Sequence, residues 1–357
     1  MKKLSVMLTV FVVPLLFASR APVVAEPHYL GEDNRWVIED VLDSAARPFA
    51  IGHRGYGENR GEIPGEPIEN TVEAATRAFR EGVQIVEVDT VLTRDNIPVA
   101  LHDDYLDDLT CVNSLYLEEL KVRLEDVSTL RHVLQKARTF SQERSSDRPS
   151  GLVVVEIKAP SPLCDPEDET IPALVDAVLG DIAATKMENQ VIVESYSPEI
   201  LGLVMMHELD IPRMLAVSLL QLLPAEVIEA MTDLEVTPIE KDAGFDLQWG
   251  EIGMEIGGQI INLYRMPGYV SLEQYTGTLF ATGSRSASLE KDILAMLDQP
   301  PLSSPMDLID TLHGLSFDVL VFTVNSELEW TAVAAWGADG MYVDDIPLGL
   351  SLEGCTP

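Results

Sequence analysis

Apolar and polar positions follow two alternating patterns along this chain, short apolar runs and then helical spacing, and their succession predicts the fold. Pro48 to Gly52 is a short apolar strand running into His53, and Gly55 to Pro67, rich in Gly, Pro and Glu, is a loop. A helix is predicted from about Thr71 to Glu81 after Asn70, with Val72, Ala75 and Phe79 on its apolar face and Gly82 as its stop. Ile85 to Asp89 is the next strand, and strand–loop–helix–strand order implies parallel pairing. Val88 to Leu92 and Ile97 to Leu101 flank Arg94-Asp95-Asn96, a hairpin turn that returns His102 to Val88 and Asp89. Because side chains alternate along a strand, Glu87 and Asp89 share one face.

The alternation continues. A helix near Arg35 to Ala46 precedes the first strand, and Val127 to Phe140 is helical. Leu152 to Ile157 is a β-branched strand, with Glu156 and Lys158 on one face, and Ile171 to Thr185 a helix. Val191 to Val193 ends in Glu194-Ser195-Tyr196, and Ser197-Pro198-Glu199 starts a helix. Arg213 to Ser218 is a strand and Pro224 to Asp233 a helix. From Leu234 to Gly277 the pattern weakens, and Gly257 to Tyr264 and Thr278 to Thr282 are alternatives for a sixth strand. Leu289 to Leu297 and Met306 to Leu312 are helical, Asp318 to Val324 is a strand, Ser326 caps a helix to Trp336, and Met341 to Val343 is the last strand. The expected fold is an α/β TIM (β/α)8 barrel with a hairpin after the second strand and an irregular insertion late in the barrel. An open doubly wound sheet is disfavoured, because no glycine-rich strand-to-helix turn of the dinucleotide type occurs.

Composition narrows the partners. The formal net charge is −35, which disfavours nucleic acid and anionic membrane and leaves a phosphate-bearing substrate dependent on local positive charge. Lys2 and Lys3, an apolar run from Leu4 to Ala18 and the small-residue exit Val23-Val24-Ala25 predict a cleaved signal peptide over residues 1–25. Residues 26–357 are then one exported catalytic domain, periplasmic or secreted, with no stable membrane insertion. The cysteines are Cys111, Cys164 and Cys355. On the barrel, Cys111 and Cys164 both lie on loops that follow active-site segments, which favours that pair as a disulfide.

Chemistry concentrates between Gly52 and Asp103. His53-Arg54-Gly55, Ile68-Glu69-Asn70-Thr71, Glu87-Val88-Asp89, Thr93-Arg94-Asp95 and His102-Asp103 resemble the glycerophosphodiester phosphodiesterase family. The likeness continues in Glu156-Ile157-Lys158, Thr323-Val324-Asn325 and Gly340-Met341-Tyr342-Val343-Asp344. It implies a metal-dependent TIM barrel that hydrolyses glycerophosphodiesters to glycerol 3-phosphate and an alcohol. By the same resemblance Glu87, Asp89 and Glu156 are metal ligands, His53 and His102 the acid–base pair, and Arg54 and Lys158 phosphate ligands. Glu69, Phe322 and Asn325 lie beside the metal or phosphate without an assigned role. Phe322 stands where the family usually has tryptophan, the loop from Asp104 to Glu125 is short, and Leu234 to Gly277 matches the family poorly.

The residue types support that chemistry independently. Three carboxylates from adjacent strands suit a hard divalent cation, Ca2+ or Mg2+ with Ca2+ favoured by the resemblance, rather than zinc. Gathering three acids without a cation is costly in like-charge repulsion. One histidine can deprotonate a nucleophile, water or the substrate's neighbouring hydroxyl, while the other protonates the leaving oxygen. His28, His132, His207 and His313 lack such company and are expected at the surface or in packing. Rival functions are a lysophospholipase D or sphingomyelinase D-like lipid phosphodiesterase on the same barrel, and a non-catalytic exported binding protein. A serine hydrolase is disfavoured by the absence of a Gly-x-Ser-x-Gly elbow.

Overall fold

The structure, a computed structural model, describes residues 34–354 apart from 35, 45–46, 125, 144–146, 208–209 and 300–303. The predicted leader and Cys355 lie outside the described residues. Eight parallel strands close into a barrel: β1 (Phe49–Gly52), β2 (Ile85–Leu92), β3 (Leu152–Ile157), β4 (Val191–Ser195), β5 (Arg213–Val217), β6 (Ser286–Glu290), β7 (Asp318–Phe322) and β8 (Gly340–Val343). β1 pairs with both β2 and β8, which seals the cylinder.

Period-two alternation builds two cores. Outward residues such as Ala50, Val86, Val88, Val153, Val155 and Val193 pack under the helices. Inward residues Phe49, Ile51, Ile85, Leu152, Val154, Ile192, Met214, Leu320 and Tyr342 fill the barrel, and Ile38, Val41 and Leu42 join them from the helix Ile38–Ser44. Carrying the inward ladder one or two steps further up the same strands reaches Glu87 and Asp89 on β2, Glu156 on β3 and Glu194 on β4. The apolar floor and the acidic upper layer are thus one register read at two heights.

The hairpin after β2 forms, although shorter than expected. Pro98–Ala100 pairs antiparallel with the end of β2, Val91 opposite Val99, and Asn96 takes the left-handed conformation that the turn demands (φ 56°). Ser128–Thr129 adds a third strand. The helix Val72–Glu81 is capped by the Thr71 side chain, which accepts from the Ala74 N–H, while Asn70 serves the site instead. Cys111 and Cys164 are disulfide-bonded with Cα atoms 5.4 Å apart, tying the loop after the hairpin to the loop after β3.

The sixth strand is neither of the expected segments. Gly257 to Tyr264 straddles the turn of an insertion hairpin, Gln248–Ile256 with Gln259–Gly268, where Gly257 and Gly258 both have positive φ. Thr278 to Thr282 ends the helix Leu272–Ala281, and the hydroxyls of Thr278 and Thr282 donate to the carbonyls four residues back. The true strand, β6, turns Ser286 and Ser288 inward and so lacks an apolar inner stripe. Leu289, expected in a helix, belongs to β6, and that helix starts at Lys291. Between β5 and β6, ahead of the barrel's crossover helix Leu272–Ala281, the chain therefore carries an insertion with a helix Ala225–Met231 and a three-stranded antiparallel sheet made by the hairpin and Leu234–Ile239.

Candidate active site

Carboxylate oxygens of Glu87, Asp89 and Glu156 lie within 4.8 Å of one another at the upper end of β2 and β3. All three are buried, Asp89 to 1% exposure. Glu87 accepts the Arg54 backbone N–H through Oε2 at 2.7 Å, while its Oε1 is buried without a hydrogen-bond partner among the described residues. Burial, then the charges of Asp89 and Glu156, push the Glu87 carboxyl well above the ordinary range. Burial would also raise Asp89, but Lys158, His102 and Arg54 outweigh it and hold that carboxyl far below. An all-oxygen donor set in which Glu87 Oε1 is buried without a partner and the Glu87 carboxyl is held up by its acidic neighbours fits a hard divalent cation. Glu87, Asp89 and Glu156 are the residues that would hold it.

The two predicted phosphate ligands sit against these acids. Lys158 Nζ is 2.7 Å from Glu156 and 2.9 Å from Asp89. Burial opposes its charge, yet Asp89 and Glu156 raise its affinity for the proton. Arg54 Nη1 pairs with Glu69 at 3.0 Å, and its Nε lies 3.6 Å from Asp89. Glu69 also accepts the Asn59 N–H at 3.0 Å, so it braces Arg54 from the side away from the triad. Asn70 clamps Asp89 twice: its side-chain N–H donates to the carboxylate at 2.8 Å, and its side-chain amide oxygen accepts the Asp89 backbone N–H at 2.9 Å.

Each histidine is oriented by a carboxylate. His53, following β1, places Nδ1 2.7 Å from Asp344 Oδ1, and His102, following the hairpin, places Nδ1 2.8 Å from Asp103 Oδ1. A carboxylate acceptor keeps the proton on Nδ1, which leaves Nε2 of a neutral ring as an acceptor. Burial would raise both orienting acids, but the histidine hydrogen bonds dominate in sum with neighbouring donors and bring each to about 2. Asp344 also accepts the Glu58 N–H at 2.9 Å and the Asn325 amide at 2.6 Å. Gly57 makes room for that approach, since a Cβ there would come within 2.3 Å of the Asp344 carbonyl oxygen. Asn325 thus braces Asp344, the carboxylate that holds His53. Asn325→Ala should lower kcat about tenfold, the scale of one hydrogen bond to a charged group, with KM within about twofold; steady-state kinetics checks the split.

These groups face one cavity of about 340 Å³, walled by His53, Arg54, Glu87, His102, Glu156 and Lys158. Phe322 stands edge-on between Tyr196 and Tyr342, with ring centroids 6.0 and 6.2 Å away, and so forms an aromatic wall. Glu194, Tyr196, Glu290, Lys291 and Asp292 also line it, and none of them was among the expected site residues. Alternation could have found Glu194, which stands on β4 beside Glu156 in register and accepts the Tyr342 hydroxyl at 2.7 Å. Burial, then Glu156, push the Glu194 carboxyl up to about 8. Of the remaining described histidines, His132 and His207 are exposed and His313 pairs with Asp339 at 2.9 Å, away from the site.

Known proteins resemble this chain in fold and in sequence. The sequence model of the Glycerophosphoryl diester phosphodiesterase family matches residues 53–232, half of the chain. A glycerophosphoinositol inositolphosphodiesterase of Mus musculus is 26% identical over 186 residues, covering 51% of this chain and 29% of that protein. Matches to the curated relatives span between 4% and 29% of their lengths. Among solved structures, a glycerophosphodiester phosphodiesterase from Thermotoga maritima superposes with TM-score 0.53 at 18% identity, covering 87% of this chain and all of that one (100%). A phosphodiesterase of Oleispira antarctica, in complex with the product sn-glycerol-3-phosphate, gives TM-score 0.55 at 16% identity over 85% and 97% of the two chains. At these identities the superpositions speak for the barrel, and the match over residues 53–232 speaks for kinship: the chain belongs to the glycerophosphoryl diester phosphodiesterase family.

Proposed function

We propose that this chain is an exported, Ca2+- or Mg2+-dependent hydrolase, with Ca2+ preferred, that converts glycerophosphodiesters to glycerol 3-phosphate and an alcohol. One observation carries the reading: two histidines, each fixed through Nδ1 by its own carboxylate, face the same cavity as Glu87 and Glu156 of a buried carboxylate triad. The cation held by Glu87, Asp89 and Glu156 would supply charge neutralisation at a phosphoryl oxygen. Arg54 and Lys158 add positive charge beside the remaining oxygens, where negative charge grows as the pentacoordinate state forms. With substrate bound, Lys158 divides its donors between the acids and the phosphate. One histidine takes the proton of the attacking hydroxyl, and the other gives a proton to the departing alkoxide, so the pair ends with its protons exchanged.

The first nucleophile in this proposal is the glycerol hydroxyl beside the phosphate, which is already within reach and needs no separate binding. A cyclic phosphate forms and water opens it. The test is a metal-by-substrate screen on the mature protein. Glycerophosphocholine should yield choline and glycerol 3-phosphate with Ca2+ or Mg2+, and chelated enzyme should be inert until one ion is restored. A diester lacking the neighbouring hydroxyl should react at least about a hundredfold more slowly. Undiminished turnover of that diester would refute the internal nucleophile, and binding without cleavage under every metal would refute the hydrolase.

A further inference from the structure

Tyr196 follows directly on β4 and lines the catalytic cavity. The inward positions of β4 run Ile192, Glu194, Tyr196, and those of β3 run Val154, Glu156, Lys158. Glu156 stands opposite Glu194 where the two strands pair. Lys158 and Tyr196 each come two residues later, so they rise side by side in the layer above. Lys158 Nζ lies over the Tyr196 ring, 5.8 Å from its centroid. Phe322 holds that ring from across the barrel, meeting it edge-on at 86° with centroids 6.0 Å apart.

The hydroxyl on this fixed ring makes no hydrogen bond among the described residues, and it is not sealed in packing. The other inward phenol differs, since Tyr342 donates to Glu194 at 2.7 Å. Burial, then the charges of Glu156, Glu194, Glu290 and Asp89, hold the Tyr196 proton well above the ordinary phenol range. The group therefore stays a neutral donor at any working pH. The cations beside it are already engaged: Lys158 by Asp89 and Glu156, and Lys291 by Glu329 at 2.6 Å. An anionic oxygen beside Lys158 also shares the cavity with the Glu290 carboxylate, which repels it. A donor fixed in place and carrying no charge of its own relieves that repulsion without being captured by the surrounding acids.

We propose that the Tyr196 hydroxyl is a substrate-binding donor, which takes the phosphoryl oxygen beside Lys158 and tightens on it as negative charge develops. Placing the phosphate beside Lys158 rests on the hydrolase reading. The test is Tyr196→Phe in the full mature chain, which removes one oxygen and keeps the ring against Phe322. Because the hydroxyl has no partner to lose in the ligand-free chain, the melting temperature should stay within about 2 °C of wild type. For glycerophosphocholine, kcat/KM should fall at least about tenfold, the scale of one hydrogen bond to a charged group, with most of the loss in kcat. Calorimetric titration of the Mg2+-loaded chain with inorganic phosphate and with glycerol 3-phosphate should show both weakened by a similar factor, about fivefold. Inorganic phosphate that binds both proteins equally, or binds neither, would overturn the proposal. So would a loss confined to glycerol 3-phosphate, which would put the hydroxyl on the glycerol, or a melting temperature lowered by several degrees, which would make it structural. Should the wild type leave every diester intact, the hydrolase reading fails, while the phosphate titrations still decide what Tyr196 binds.

Discussion

His53→Ala and His102→Ala should each lower kcat/KM for glycerophosphocholine by about 10²–10⁴, the range of general acid–base catalysis, while the barrel stays folded. Both side chains are only half-buried, and neither belongs to an apolar core. Truncating them leaves Asp344 with Glu58 and Asn325 and leaves Asp103 with Arg60 at 2.8 Å, so no carboxylate is stranded. Circular dichroism and the melting temperature should therefore match wild type closely. The double variant should be little worse than the poorer single one, because the two histidines act on one transition state as a unit. Activity of either single variant within tenfold of wild type would remove that histidine from the mechanism.

What could be read from residue order alone was whatever lies along one strand. Ile85, Glu87 and Asp89, or Leu152, Val154 and Glu156, state in alternation that an apolar floor carries an acidic upper layer. β6 was illegible for a physical reason. Its inward positions are Ser286 and Ser288, small because the barrel interior there is shared with large groups such as Glu194 and Tyr342, which lie beside Ser288. A serine facing a full interior looks like a serine in a loop. Long-range partnership was illegible too. Asp344 was visible as a motif residue, but its hydrogen bond to His53 spans 291 positions, and only barrel closure through β1 and β8 brings the two together. Likewise Lys158 was legible as a cation near the site, while its engagement with Asp89 and Glu156 depends on the height at which β2 and β3 are in register, Asp89 opposite Glu156.

Glu87→Gln should cost several kcal/mol of transition-state stabilisation, roughly a thousandfold in kcat, and yet stabilise the chelated protein at neutral and alkaline pH. The two effects share one origin. In the cation-free fold, burial and the charges of Asp89 and Glu156 hold the Glu87 carboxyl well above its ordinary value. The folded chain then keeps that proton to higher pH than the unfolded chain does. Stability must therefore fall as pH rises from the ordinary glutamate range, about 4.3, through the raised folded value. Glutamine has no proton to lose, so Glu87's share of this slope vanishes in the variant, while that of Glu194, whose carboxyl is pushed up to about 8, stays in both proteins. Asp89 does not confuse the window, because its lowered carboxyl contributes stability that is lost only in acid. Cation binding should reverse the order: a ligand at a hundred times its Kd adds about 2.7 kcal/mol to the fold that binds it, and the variant lacks the charge of one of the three carboxylates, leaving a weaker amide oxygen in its place. Denaturant titrations from pH 4 to 9, with chelator and with Ca2+, should show the two proteins exchange rank. Parallel pH slopes under chelation would mean that Glu87 carries no strained charge, and an equal gain from Ca2+ in both would mean that it is no ligand.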